Sequence, residues 1–192
     1  MSDDDLRWTL GARLPGHDYK VFKTGFVEAT HPRIDHVKTF SLIEAVDWVN
    51  VLALTADRQV VLLRQYRPGI DRVCLEIPGG MVDPGEDAMQ AGVRELLEET
   101  GYGGGTATLI GKVAPNPAIQ NNYLHTILVT DVEKLEDPRP EGDEILDVFT
   151  RPLAETLDHL RRGDIEHALV VVAFAHLLLH DKAVDRRRHP EV

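Results

Sequence analysis

Gly80 to Tyr102 reads G-M-V-D-P-G-E-D-A-M-Q-A-G-V-R-E-L-L-E-E-T-G-Y, and the reading of the whole chain works outward from it. By spacing it is Gly80, five residues, Glu86, seven residues, then Arg94-Glu95-Leu96-Leu97-Glu98-Glu99-Thr100-Gly101. The last part predicts a helix that Gly101 stops. At about 100° per residue, Ala88, Met89, Gly92, Val93, Leu96 and Leu97 share one apolar half of the wheel. Glu95, Glu98 and Glu99 fall together within roughly 100°, at i, i+3 and i+4, with small Ala91 among them. Three like charges on adjacent turns repel unless something positive sits there. A divalent cation answers this, because carboxylate oxygens suit Mg²⁺ and Mn²⁺. Taken alone, R-E-L-L-E-E is equally a solvated face on which Arg94 pairs with Glu98.

The complete pattern fixes seven Gly, Glu and Arg positions. With each type near 7% of average usage, a chance match at one starting point is roughly 1 in 10⁸. The stretch resembles the Nudix hydrolase signature, G-x5-E-x7-R-E-U-x-E-E-x-G-U with U apolar or aromatic, at every fixed position. The resemblance implies an α/β fold, the Nudix α/β/α sandwich with a mixed sheet. It implies Mg²⁺, or Mn²⁺ in its place, held by Glu95, Glu98, Glu99 and the carbonyl of Gly80. Arg94 would orient the carboxylates, and Arg94 and Glu95 count among the catalytic residues. Glu86 also has a structural reading, through the helix dipole or a pairing with Arg94.

Upstream, Val49–Leu54 and Val60–Leu63 are rich in β-branched and aliphatic residues around an Ala56-Asp57-Arg58 turn, which predicts a hairpin. The second strand runs into Gln65-Tyr66-Arg67, and Leu75-Glu76-Ile77-Pro78-Gly79-Gly80 leads into the signature. An aliphatic strand ending Q-Y-R, then L-E-I-P-G-G, then the signature, is similar to the ADP-ribose pyrophosphatase branch of the family. That likeness places Arg67 at the substrate diphosphate, where a planar fork suits phosphate oxygens, and counts Glu76 with the substrate-binding residues. Taken without its neighbours, Arg67 is also a surface arginine at a strand end. Trp48 offers a face for a nucleobase, or packs at the sheet edge.

Downstream, Thr106–Val113 and Tyr123–Val129 read as strands. Pro117 stands fifteen residues beyond Tyr102, where the branch carries a proline and where it contacts substrate, although P-N-P-A replaces the usual S-P-G. The acidic segment Asp131–Glu144 reads as a solvated loop. By resemblance it supplies the carboxylate that activates the attacking water. Glu144 is the favoured residue, with Asp143 and Glu141 as competitors. Pro152 opens an amphipathic helix that Gly163 ends. A buried helix follows from Ile165 to about Asp181, with Asp185–His189 as a frayed basic tail.

Residues 1–45 predict an N-terminal β segment, with strands near 21–27 and 36–42, that takes part in dimerisation as in relatives of the branch. Residues 46–192 form the hydrolase domain. His31 and His36 are turn residues rather than ligands, since no partner completes a site. A net charge of −11 and a pI near 5.2 argue against a nucleic-acid or membrane-surface binder. The single cysteine, Cys74, precludes an internal disulfide and fits a reducing compartment. The acidic start MSDDD is no signal peptide, and the longest apolar run, Ala168–Leu179, is too short to span a bilayer. The expectation is a cytoplasmic homodimer that hydrolyses a nucleoside diphosphate linked to another moiety, ADP-ribose first, giving AMP and ribose 5-phosphate. A nucleotide sugar, a dinucleoside polyphosphate, or a non-catalytic nucleotide sensor are the alternatives.

Overall fold

The short apolar strands after Asp47 build the sheet that carries the site. The computed structural model describes residues 2–140, 142 and 144–188. Packing divides them into two units, Met1–Val46 with Ala114–Tyr123, and Asp47–Val113 with Leu124–Val192.

In the second unit the elements run β4 (Trp48–Leu54), β5 (Gln59–Arg67), β6 (Arg72–Glu76), β7 (Gly79–Met81), α1 (Ala88–Thr100), β8 (Tyr102–Gly103), β9 (Thr106–Val113), β10 (Leu124–Thr130), β11 (Glu133–Lys134), β12 (Asp147–Pro152), α2 (Leu153–Arg162) and α3 (Ala168–Arg188). The main sheet has the order β12-β5-β4-β10-β9, with β6 added to β5, β7 added to β4, and a separate small β11-β8 pair. β10 runs parallel to β4, while β9, β12, β6 and β7 pair antiparallel with their neighbours, so the sheet is mixed as expected.

The predicted β4–β5 hairpin forms but splays almost at once, for the two strands pair only at Leu54 and Val60. Beyond that point β6 occupies the inner edge of β5, Leu63 opposite Glu76 through Arg67 opposite Arg72. β7 occupies the edge of β4, with Trp48, Val49 and Asn50 opposite Met81, Gly80 and Gly79. The sheet is thus forked where the signature begins.

Strand alternation sorts the core into two layers. Val51, Ala53, Val61, Ile127 and Val129 pack with Leu96 of α1 on one face. Leu52, Leu54, Val60, Leu62 and Leu128 pack with Leu153 of α2 and with Val170, Ala173, Phe174 and Leu177 of α3 on the other. Helices on both faces of a mixed sheet make the α/β/α sandwich. α2 begins after Pro152 and ends at Gly163 in the left-handed region, as read from sequence. α3 begins at Ala168 rather than Ile165, because Ile165 is spent as a core plug in the connection. It continues to Arg188, past the end expected near Asp181, and His189 lies outside the described residues.

In the first unit, β1 (Thr9–Asp18), β2 (Lys23–Thr30) and β3 (Val37–Glu44) form an antiparallel sheet in that order. β2 and β3 match the two expected strands to within three residues at each end. β1 was not foreseen; it is exposed along its whole length, so it has no buried face to impose an alternation. Gly11, Pro15 and Gly16 obscure its pattern further, and its pairing with β2 is irregular between Leu10 and Arg13 and between Pro15 and Asp18. His31 and His36 flank the β2–β3 turn, with the Trp8 ring edge-on to both at 4.8 and 6.4 Å between centroids. Residues 114–123 join this unit through Ile43, whose N–H donates to Ile119 O at 2.7 Å.

Phe174 is fully buried at the centre of the α3 layer. Phe174→Ala is expected to destabilise the protein by about 3–5 kcal/mol, seen as a lower urea midpoint with an unchanged slope; a shift under a third of that would show that the α3 layer is not the core.

Candidate active site

α1 carries most of the candidate residues. Asp87 caps its start, accepting from the N–H groups of Met89 and Gln90, and Gly101 (φ +68°) closes it by donating to Leu97 O at 2.7 Å. The orientation of the helix differs from the wheel reading. Met89 and Val93 are exposed (40% and 41%), whereas Ala91, Gly92, Leu96, Glu99 and Thr100 are buried. The Glu99 side of the helix is therefore turned toward the sheet, with Glu98 left at its rim, and Ala91 is packed away rather than left as room among the carboxylates. A helix can turn glutamates inward only if their oxygens are satisfied there.

Arg94 and the β7 backbone satisfy them. The Arg94 fork donates to both Glu86 oxygens, from Nε and Nη2 at 3.0 Å each, and Glu86 also accepts from Asp83 N–H at 3.2 Å. Nη1 donates to Glu95 Oε1 at 3.0 Å and Glu98 Oε2 at 3.1 Å, and Nη2 also reaches Met81 O at 3.2 Å. Hydrogen bonding to Glu86 raises the guanidinium pKa, and Arg94 in return lowers that of Glu86. Both sequence readings of Arg94, partner of Glu86 and partner of Glu98, hold together.

Glu99 is the most deeply placed of the three signature carboxylates, 6% exposed, and accepts from Gly79 N–H at 2.9 Å. Burial pushes its carboxyl up to about 8. The Gly79 N–H and the Arg67 charge oppose the shift, while nearby Glu95 and Glu144 add to it. Gly80 is needed for contact with Glu95: a Cβ there would lie 2.3 Å from Glu95 Oε1 and 2.5 Å from its Cδ. Hard oxygen donors at Glu95, Glu98 and Glu99, beside the bare Gly79-Gly80 backbone, are a donor set of the kind Mg²⁺ takes. They are not drawn to a common point, since Arg94 holds Glu95 and Glu98 while Gly79 holds Glu99. Among the described residues, no three His, Cys, Asp or Glu side chains stand ready-gathered for a metal.

Arg67, at the end of β5, forms a bidentate pair with Glu76 of β6 at 2.8 and 2.7 Å. Glu76 is 2% exposed and Arg67 half-exposed. Pairing with Glu76 raises the Arg67 pKa, and Glu99 and Glu144 contribute to the same effect, which sets all four groups within one electrostatic neighbourhood. Gln65, two positions before Arg67 on the same strand face, donates to Glu144 Oε1 at 3.4 Å. Glu144 thus lies in the neighbourhood of Glu99 and Arg67; its competitors Glu141 and Asp143 lie outside the described residues. Trp48 is not brought to this group, for alternation sets it with Asn50, Leu52 and Leu54 on the strand face toward α3. Pro117 opens a turn in the other unit.

Three residues of this neighbourhood were missed in the sequence. Gln65 was legible in principle from the alternation Leu63, Gln65, Arg67. His167, whose Nδ1 lies 3.9 Å from Glu76 Oε2, carries no spacing signal. His125, buried on β10, pairs its Nε2 with Asp47 Oδ2 at 2.8 Å, and Asp47 O accepts from Val82 N–H at 2.9 Å just past β7. A separate open cavity of about 430 Å³ lies among Arg64, Leu75, Asp147, Phe149, Arg151 and His159. Its basic side chains are already engaged, Arg64 with Asp147, Arg151 with Glu155 and His159 with Asp164, and none of the signature residues lines it.

Residues 46–174 match the family model described as the NUDIX domain. The chain is 29% identical over 134 residues to an ADP-ribose pyrophosphatase of Bacillus subtilis, covering 69% of this chain and 72% of that protein. It is 34% identical over 136 residues to an ADP-sugar pyrophosphatase of Mus musculus, covering 68% of this chain but only 62% of the mouse protein. In fold it is similar to a crystal structure of an ADP compounds hydrolase, with a TM-score of 0.80 and 23% identity over 94% of this chain and 98% of that one. Among the described residues no helix is long and apolar enough to cross a membrane.

The raised Glu99 carboxyl has a signed consequence for the metal-free protein. Between the ordinary carboxyl value near 4.5 and about 8, the unfolded chain has released a proton that the folded chain keeps. Stability therefore falls as pH rises through that window. Glu99→Gln removes the loss while keeping an oxygen for Gly79 N–H. In chelator its melting temperature should exceed the wild type's by a few degrees at pH 8.5, by less at pH 6, and not at all at pH 4. Equal gains at all three values would show that Glu99 does not hold its proton.

Proposed function

Because the chain belongs to the Nudix family, we propose that it hydrolyses the diphosphate of a nucleoside diphosphate linked to a second moiety, ADP-ribose foremost, to AMP and ribose 5-phosphate. The observation that carries this reading is the conjunction of two guanidinium sites on one carboxylate field. Arg94 holds Glu86, Glu95 and Glu98, and Arg67 stands with Glu76 in the field of Glu99 and Glu144. The names of the Bacillus subtilis and mouse relatives support the nucleotide class, and the mouse name keeps ADP-sugars as the second substrate reading.

In this reading Glu95, Glu98, Glu99 and the Gly80 carbonyl hold Mg²⁺, with Mn²⁺ as a substitute. Bound there, the cation supplies neutralisation of the diphosphate and a lowered pKa for a coordinated water. Arg94 keeps Glu95 and Glu98 from splaying apart and ties them to the β7 backbone. Arg67 offers its outward N–H groups to diphosphate oxygens while Glu76 fixes the plane of its fork. Glu144, steadied by the Gln65 amide, accepts the proton of the attacking water. The first unit serves a homodimer in this proposal. Leu14 and Phe26 are cross-strand partners on β1 and β2, and both are exposed, as are Leu10 and Val37. A buried Cys74 as the single cysteine fits a cytoplasmic setting.

Hydrolysis of a panel of ADP-ribose, ADP-sugars and dinucleoside polyphosphates is expected to require Mg²⁺ and to favour ADP-ribose. Glu98→Gln and Glu144→Gln should each lower kcat by about 10²-fold or more, with Glu144→Gln leaving Mg²⁺ binding intact. Turnover of no panel member would leave a nucleotide sensor as the reading, and an undiminished Glu144→Gln would move the base elsewhere. Light scattering should give a particle near 43 kDa, twice the 21.5 kDa chain; a 21.5 kDa particle at micromolar concentration would remove the dimer.

A further inference from the structure

The connection Asp164–His167 between α2 and α3 is pinned on three sides. Ile165 is buried in the core, and both Glu166 oxygens accept from Arg72 Nη1 of β6 at 3.0 and 3.1 Å. One residue into α3, Leu169 O accepts from Asn50 Nδ2 at 2.7 Å, and Asn50 pairs with Gly79 at the start of the signature strand. Between these anchors, the His167 imidazole is 34% exposed, yet its Nδ1 is sealed from solvent and has no hydrogen-bond partner among the described residues. That nitrogen faces Glu76 Oε2 at 3.9 Å, too far for a hydrogen bond but close enough for the carboxylate to bias the ring. Burial lowers the imidazole pKa, and the Arg67 charge acts the same way against the pull of Glu76, so the ring is neutral near pH 7. The field of the Glu76 carboxylate favours the tautomer with its hydrogen on the nearer nitrogen, Nδ1. The outer nitrogen, Nε2, is then an acceptor, mounted rigidly beside a guanidinium that only donates.

We propose that His167 is a specificity-determining, substrate-contacting residue, whose Nε2 accepts a hydrogen bond from a neutral O–H or N–H donor of the molecule whose diphosphate Arg67 binds. The inference rests on the reading of Arg67 as the diphosphate contact. In that substrate class the donors are sugar hydroxyls and the amine of the base. An acceptor fixed by three anchors selects for such a donor, because a ligand that covers it without one takes the nitrogen out of water and leaves it unpaired.

The test is calorimetric binding, with Mg²⁺, of the non-hydrolysable α,β-methylene analogue of ADP-ribose, which needs no turnover. Two further analogues distinguish the donors, one with the base amine replaced by oxygen and one with the sugar hydroxyls methylated. His167→Leu, similar in size and lacking the acceptor, should raise Kd for the parent analogue about tenfold. The wild type should lose a similar factor on one of the donor-deficient analogues, and the variant should no longer tell that analogue from the parent. Should His167→Leu fail to fold, His167→Ala carries the same comparison, and His167→Asn, which restores an oxygen acceptor, should recover part of the affinity. An unchanged Kd in a folded variant would overturn the inference alone. So would equal weakening toward all three analogues, which marks a structural role. Failure of the wild type to bind any analogue would instead overturn the substrate reading of Arg67, and this inference with it.

Discussion

The guanidinium of Arg94 is the constraint on which the rest of the site depends. It touches the loop at Glu86, the helix at Glu95 and Glu98, and the strand at the Met81 carbonyl. These come from three separate segments of the signature, so one side chain sets their mutual position. Remove it, and Glu95 and Glu98 repel each other in a half-buried setting where the field is weakly screened. Lysine would not replace it, because a single ammonium cannot face both oxygens of Glu86 and still reach two helix carboxylates and a carbonyl. The spacing of the signature follows from this. Glu86 must precede the helix by enough residues to fold back on Arg94, and the Asp83-Pro84-Gly85 turn, with its Asp83 N–H on Glu86, makes the return.

The second constraint is the fork between β4 and β5. Had those strands paired along their length, the hairpin seen in the sequence would have closed the sheet and left β6 and β7 no edge. Their separation after Leu54 and Val60 exposes two edges, and the chain from Arg72 to Met81 fills both. That brings Glu76, Gly79 and Gly80 into the sheet beside Arg67, and lets Glu99 meet a strand N–H that is not consumed by a neighbouring strand. The Gly79-Gly80 pair suits this position, since one glycine backs onto β4 and the other onto Glu95.

Much of the site was legible before the fold was known. The helix, its glycine stop and the pairing of Arg94 with Glu86 and Glu98 follow from spacing alone, as do β9, β10 and α2. The inward turn of the carboxylate face does not. A reading by polarity counts Met89 and Val93 as inward because they are apolar and Glu99 as outward because it is charged. The backbone donor that draws Glu99 inward instead comes from Gly79, twenty residues earlier. The exposed edge strand β1, the short β6 and β7, and the grouping of residues 114–123 with the first unit escape for a related reason. None has a buried face of its own long enough to impress a period on the sequence, so each is set by pairing partners that only the folded chain supplies. His167 is the extreme case, positioned by a core isoleucine, an ion pair and a main-chain carbonyl that share no spacing.

The charge balance of the site bears on how a diphosphate can enter it at all. Around Arg67 and Arg94 stand Glu76, Glu86, Glu95, Glu98, Glu99 and Glu144, six carboxyl groups against two guanidiniums. Even with Glu99 holding its proton, five negative charges face two positive ones, on a chain that is itself at −11. Both arginines are already paired, so neither is an uncommitted attractor for phosphate. A diphosphate therefore meets net repulsion unless positive charge arrives with it or before it. By linkage the dependence is mutual: whatever a cation contributes to holding the diphosphate, the diphosphate contributes equally to holding the cation. The same excess of carboxylate adds to the burial that makes Glu99 keep its proton, and it explains why Arg94 needs so many contacts. An acidic site of this composition is strained when it stands alone, and that strain gives it a preference for a ligand pair whose charges cancel.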